Sequence, residues 1–204
     1  VFHPKIYLIK KSQKQCHETL VSIFVNPSQF NNKKDYNNYP RNNKKDLNIL
    51  KKLKVNFVYI PNRNHIYKFK KTSKIKLKES DKILCAKYRK GHFEGVIDVM
   101  DRLTNLIRPK KIYMGEKDFQ QLYLVKKYIE NKYKCKVVSC KTIRNSNNLA
   151  LSSRNLLLKK KELVKAEKLI QNLINFKKKI VNKKDVKKLI IKKKIELKFL
   201  FDAN

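Results

Sequence analysis

Short apolar runs alternate along this chain with longer stretches in which apolar residues return every three or four positions. Residues 20–25, 57–60, 111–114 and 136–140 are the short runs, predicted to be buried strands. Residues 6–15, 46–54, 93–107 and 119–133 have helical spacing. In the last of these, Phe119, Leu122, Val125 and Ile129 make one apolar stripe. Alternating strands and helices predict an α/β fold, a parallel sheet with helices on both faces. Ligands of such sheets sit at the carboxyl ends of strands, so the loops after the strands are the place to seek chemistry.

Past Arg154 the pattern changes. Residues 159–194 are laden with lysine and read as two helices, the first with Ala166, Leu169, Ile170, Leu173 and Ile174 on one face. Residues 197–201 are a last candidate strand. Two domains are therefore expected: 1–154 carries the sheet, and 155–204 is part of a smaller domain. Residues 31–48, with Pro40 and seven asparagines, read as a polar loop over the carboxyl edge of the sheet.

Composition narrows the picture. Leu, Ile, Val and Phe supply 64 of the 204 residues, well above the roughly 20% below which a highly charged chain stays disordered. No apolar run approaches the ~18 residues of a membrane span, and no secretory signal opens the sequence. A soluble, cytoplasmic protein is expected. Cys16, Cys85, Cys135 and Cys140 lack CxxC spacing, which argues against a zinc ribbon and a disulfide framework alike. The net charge of +36 invites a nucleic-acid reading. Lysine outnumbers arginine 45 to 7, however, and guanidinium forks are what bidentate recognition of bases and phosphates favours. The charge is also spread, +16 over residues 1–102 and +20 over 103–204. With 21 asparagines, 3 glycines and 4 alanines beside it, the excess reads as a bias in surface composition, and nucleic acid is not the expected partner. Such a field still draws anionic ligands in general.

The loops after the strands are rich in groups suited to an anionic substrate. Asn26, Pro27, Ser28, Gln29 and Phe30 follow the first strand; Pro27 stops it, and Gln29 offers a carboxamide that donates to and accepts from a hydroxy acid. Gly115, Glu116, Lys117 and Asp118 follow the third strand, ahead of a helix bearing Gln120 and Gln121. There a glycine permits close backbone approach, Lys117 brings a point charge for phosphate, and Asp118 can cap the helix. The helix N-terminus adds an anion site of its own. After the fourth strand come Ile143 and Arg144, then Leu151, Ser152, Ser153 and Arg154, whose hydroxyls and guanidinium suit a polyphosphate. His92, in the basic stretch from Arg89 to Phe93, is a further candidate. Each segment alone could equally be an ordinary turn with a polar cap.

Five blocks in order carry more weight than any one of them: VSIFVNPSQF (21–30), YPR (39–41), RKGHFEGV (89–96), MGEKDFQQL (114–122) and LALSSRN (149–155). From about Ile6 to Asn155 the chain resembles the pantothenate synthetase (pantoate–β-alanine ligase) family, whose Rossmann-like fold is of the nucleotidyltransferase type. The resemblance implies ATP-dependent joining of pantoate to β-alanine through a pantoyl adenylate, with Mg²⁺ carried on the ATP phosphates and a homodimeric enzyme. It assigns Gln29 and Gln121 to pantoate, with Gln29 also near the β-alanine path. It assigns Gly115, Glu116, Lys117, Asp118, Ile143, Leu151, Ser152, Ser153 and Arg154 to ATP, with Lys117, Ser153 and Arg154 serving catalysis.

The departures from the family are specific. In ungapped register the four HxGH positions fall on Phe2, His3, Pro4 and Lys5, so Lys5 stands where the second histidine is expected. The family's P-T-M-G segment and first strand, which is internal to its sheet, have no counterpart, and an N-terminally truncated chain is expected. Asn148 replaces the glycine of the family's D-G-L-A, and Lys90 the proline of R-P-G-H-F. Little adenylation is expected of such a chain. The alternatives are a degenerate ATP- and pantoate-binding pseudoenzyme and a basic polyanion-binding protein.

Overall fold

Each of the four apolar runs contains a strand, and both strand pairs among the described residues are parallel. The structure is a computed structural model that describes residues 4–30, 33–39, 41–68 and 75–180. In chain order the elements are α1 (Pro4–Gln15), β1 (Leu20–Ser22), α2 (Lys33–Asn38), α3 (Asn43–Lys52), β2 (Phe57–Tyr59), α4 (Arg63–Tyr67), α5 (Cys85–Tyr88), α6 (His92–Ile107), β3 (Lys111–Gly115), α7 (Phe119–Tyr133), β4 (Lys136–Cys140) and α8 (Lys160–Ile180). The fold is α/β and Rossmann-like. No described helix is long and apolar enough to cross a membrane.

The strands pair two by two instead of forming one continuous sheet. β1 runs beside β2 with Leu20 opposite Phe57, and β3 beside β4 with Lys111 opposite Lys136. Helix α6 links the two pairs. Asn26, just past β1, donates from Nδ2 to the Gly95 carbonyl in the first turn of α6 (3.1 Å), while the far end of α6 leads straight into β3. β1 and β3 are thus joined through opposite ends of α6. Between the pairs lies a groove of about 1360 Å³ walled by Leu20, Val21, Ile112 and Tyr113 among others. β1 and β3 are the strands that face it, and among the described residues each is laddered on one side only.

The core is the seam between α6 and α7. Phe93, Val96 and Ile97 meet Leu122, Leu124, Val125 and Ile129, with Val137 of β4 beneath. The predicted stripe on α7 needs one correction. Phe119, the first residue of the helix, is 65% exposed, and Leu124 is buried in its stead. A side chain at the mouth of a helix hangs over the preceding turn, so helical spacing alone does not bring it to the core.

Scarcity of glycine leaves its mark on the helix ends. Helices commonly stop on a left-handed residue, usually glycine. Here Arg108 and Lys134 take that conformation at the ends of α6 and α7, with φ of 51° and 50°. Each such residue costs roughly 1–2 kcal/mol relative to a right-handed one, partly offset by a cation beside the helix carboxyl end.

Two acids are buried against α7, each by a lysine–tyrosine pair. Lys127 and Tyr128 reach Asp81 at 2.7 and 3.0 Å; Lys132 and Tyr133 reach Asp101 at 2.7 and 2.9 Å. Burial pushes the Asp81 carboxyl up, but the hydrogen bonds from Lys127 and Tyr128 outweigh it and hold it below its ordinary value. A carboxyl depressed in the folded state stabilises the fold above its unfolded pKa of about 3.9 and stops doing so as pH falls through the folded value. Asp81→Asn should therefore destabilise the chain at neutral pH and matter progressively less below about pH 4. Urea melts at pH 7 and pH 3 check this; an equal loss at both would assign the effect to packing instead of charge.

Elsewhere the structure departs from the sequence expectations. Residues 31–48 hold α2 and the start of α3 where a loop was predicted, because Asn42 caps α3 by accepting from Lys45 N at 2.9 Å. The short helices α4 and α5 carry too few residues to show periodicity. The chain divides into two units, 1–143 and 144–204, whereas its sequence character changes at 154/155. The segment between goes with α8, since Asn145 and Asn147 donate to the Glu167 carboxylate at 2.7 and 2.8 Å. Of the two predicted C-terminal helices, the first is α8. The second and the strand at 197–201 lie outside the described residues.

Candidate active site

The turn that carries Gln29 is fixed from three sides. Residues Pro27–Gln29 form a single 3₁₀ turn, with Pro27 at its first position and the Asn26 side chain accepting from Ser28 N at 3.2 Å. Asn26 is 1% exposed, and its other amide end is bound to α6 through the Gly95 carbonyl. The His92 Nδ1 donates to the main-chain carbonyl of Gln29 itself. Gly95 allows the contact, because a Cβ there would stand 2.6 Å from the Ser28 carbonyl oxygen. His92, a weak candidate in the sequence, is buried and acts on the turn's backbone.

The two glutamines that open α7 differ in what they do. Gln120 is engaged: its amide donates to the Ile83 carbonyl at 2.7 Å and its oxygen accepts from Ala86 N at 3.3 Å. Gln121 is half-buried, and like Gln29 its carboxamide bonds nothing among the described residues. Both sit just past the carboxyl end of a strand, Gln29 after β1 and Gln121 after β3. Neither lines the groove between the strand pairs, which reaches Val25 and Pro27 but not Gln29.

The loop after β3 is open. Nothing comes within 4 Å of where a Cβ on Gly115 would be. The Glu116 carboxylate accepts from the Ser139 hydroxyl of β4, which ties the loop down. Lys117 is exposed and lies 3.5 Å from Asp118. Asp118 holds the cap position of α7, yet its side chain accepts no helix N–H. The expected cap is not made, and the first amides of α7 are left unclaimed by it. Ile143 lies half-buried just past β4.

In the 144–204 unit, Leu151 and Ser152 are half-buried, and Ser152 Oγ accepts from Arg154 N at 3.3 Å, capping the 3₁₀ turn Ser153–Leu157. Arg154 is exposed. Asn148 takes φ of 65°, the left-handed region that favours glycine and that asparagine tolerates better than most residues. This explains how asparagine can stand there. Lys5, in the position of the second family histidine, pairs with Asp46 of α3 at 3.5 Å and is exposed. The other positions of that block, Phe2 and His3, lie outside the described residues. Exposed lysines occur on α1, α3, α7 and α8 alike.

Comparison with known proteins shows the family. The family profile described as pantoate-beta-alanine ligase matches residues 3–201. The pantothenate synthetase of Clostridium botulinum (strain ATCC 19397 / Type A) is 41% identical over 156 residues, 76% of this chain and 56% of the relative. That of Fervidobacterium nodosum is 35% identical over 184 residues, 89% and 66%. The crystal structure of the Francisella tularensis pantoate-beta-alanine ligase, complexed with beta-gamma ATP and beta-alanine, superposes with a TM-score of 0.78 at 36% identity, covering 84% of this chain and 66% of that one. The pantothenate synthetase of Thermus thermophilus gives 0.81 at 30% identity, covering 87% and 65%. The chain spans about half the length of the first curated relatives it matches.

Proposed function

Because the chain belongs to the pantoate–β-alanine ligase family, we propose that its activity is the ATP-dependent condensation of pantoate with β-alanine to pantothenate, through a pantoyl adenylate. The observation that carries this reading is the pair Gln29 and Gln121. Gln29 lies in the turn that follows β1 and Gln121 in the first turn of the helix that follows β3, and both hold unengaged carboxamides while the adjacent Gln120 is consumed by structure. Two such groups suit the hydroxyls and carboxylate of pantoate, with Gln29 also serving the approach of β-alanine.

In the first step a pantoate carboxylate oxygen attacks the α-phosphorus of ATP, the bond to the bridging oxygen breaks, and pyrophosphate leaves. In the second the amine of β-alanine attacks the acyl carbon, AMP departs with the bonding electrons, and the amine loses a proton to solvent. An anion attacking an anion requires positive charge placed beforehand. Lys117 supplies it from the open loop Gly115–Asp118, beside the amide-rich start of α7. Ser152, Ser153, Arg154 and Leu151 keep their assignment to the phosphates, and the Ile143 backbone its assignment to adenine. Mg²⁺ enters as part of the ATP substrate. Mg²⁺ commonly binds through substrate phosphates.

We read 1–154 as the nucleotide- and pantoate-binding domain, 155–204 as part of a lid domain, and the enzyme as a cytoplasmic homodimer, the last to be measured by sedimentation. Titration of pantoate into the chain and into Gln29→Ala and Gln121→Ala tests the site; equal affinities would reject it. Lys117→Ala should weaken ATP roughly tenfold to hundredfold, the range for a charge-assisted hydrogen bond. Unchanged ATP affinity in that variant would remove Lys117 from the phosphate site.

A further inference from the structure

We propose that Tyr67 is a positioning residue for Gln29, acting through a hydroxyl relay that the side chains of Arg102 and Asp98 hold in place. This rests on the assignment of Gln29 to pantoate. Three donors converge on one oxygen, Asn26 Oδ1: Ser28 N at 3.2 Å, Ser28 Oγ at 2.9 Å and the Tyr67 hydroxyl at 2.9 Å. The amide is oriented without ambiguity, since its nitrogen faces the Gly95 carbonyl, which can only accept. A carbonyl oxygen has two lone pairs, so three donors cannot all be served well. The Ser28 N–H is fixed by the backbone and takes one. The Tyr67 hydroxyl takes the other, and the Ser28 hydroxyl donates to the Tyr67 oxygen, 3.2 Å away. Every group is then satisfied, and the Tyr67 oxygen joins the cap residue Asn26 to Ser28, in the middle of the turn that presents Gln29.

Tyr67 is itself held from behind. The Arg102 guanidinium lies 4.7 Å from the centre of its ring, and its Nε–H is shared between the two oxygens of the Asp98 carboxylate, at 3.2 and 3.1 Å. The same guanidinium donates to the Ile66 carbonyl at 3.4 Å. Ile66 is buried against Val99 and Leu103 of α6. Helix α4 is therefore anchored on α6, and Tyr67 reaches the turn from a fixed base. A glutamine on a flexible arm gains from a turn that does not rock, because less ordering is left to be done when the ligand arrives.

The test is Tyr67→Phe in the full 204-residue chain, which keeps the ring over Arg102 and removes only the hydroxyl. Pantoate and ATP affinities are measured by titration, thermal melting runs in parallel, and Gln29→Ala serves as the reference. The expected result is pantoate binding weakened about fivefold or more, the size of one neutral hydrogen bond, with ATP affinity unchanged. The Gln29 side-chain amide resonance should also shift or broaden before any ligand is added. Pantoate affinity left at the wild-type value, while Gln29→Ala loses it, overturns the positioning role alone. Parallel loss of both ligands and of melting temperature also overturns it, because the hydroxyl would then serve the fold at large. If Gln29→Ala leaves pantoate binding intact, the site assignment falls and the relay's role falls with it.

Discussion

Pantoate-dependent ATP–pyrophosphate exchange should run at least roughly a hundredfold slower on this chain than on one with an intact P-T-M-G…H-x-G-H segment grafted before Ile6. Adenylation needs donors fixed at the phosphate before the reaction begins, and removing one oriented donor typically costs about 10²–10³ in rate. Here two histidines and a glycine of the family pattern are replaced at once. Lys5, at the second histidine's position, keeps a positive charge, but as a point charge on a flexible stem. It is also turned toward Asp46, 3.5 Å away, which neutralises part of what it could offer. Pro4, at the glycine position, has no N–H and adds bulk where phosphate must come close. The defect is thus local, and ATP and pantoate binding should survive it. Near-equal exchange in the two polypeptides would refute this account, as would a graft that fails to exchange while binding both substrates.

Gly95→Ala should destabilise the chain by about 1–3 kcal/mol and weaken pantoate by roughly tenfold or more, against the usual trend for a helical glycine. In an exposed helix interior alanine is better than glycine by up to ~1 kcal/mol. At Gly95 that gain is outweighed, because the new Cβ would lie 2.6 Å from the Ser28 carbonyl oxygen and 2.9 Å from its carbon. Those are backbone atoms and cannot swing aside as a long side chain would. Relief requires the 27–29 turn to lift off α6, which stretches the Asn26–Gly95 bond and moves Gln29 with it. Urea melts and pantoate titration read the two effects separately. A variant more stable than the parent, with pantoate binding intact, would show that the turn moves freely on α6.

The strands and long helices were legible because their apolar spacing reports burial directly, and the order of the five blocks made the family legible. The rest depended on contacts between residues far apart in sequence. Apart from the resemblance, which picks Gln121, nothing in residue type or spacing distinguishes Gln120 from Gln121; the difference in their surroundings comes from the loop at 81–86, bonded to one and not the other. The importance of Gly95 is likewise invisible, since a glycine in a helix usually signals little. Tyr67 lies in a five-residue helix whose short, polar sequence gives no period to read. Asp118 shows the opposite failure. Residue type and place both predict a cap, but Lys117 is its neighbour in space and draws the carboxylate away.

The open strand edges have a colloidal consequence. An edge with unclaimed N–H and C=O groups is a template for another chain, and proteins commonly guard such edges with charge. Among the described residues β1 and β3 present two of them across an apolar cleft, with Leu20 40% and Phe57 50% exposed nearby. The guard here is global: at +36, any two copies repel before their edges can meet. That protection is only as long as the screening length, which shrinks from ~10 Å at 0.1 M salt to ~3 Å at 1 M. The lysine excess that says little about what this protein binds therefore sets how concentrated, and how salty, a solution of it can become before the molecules stick.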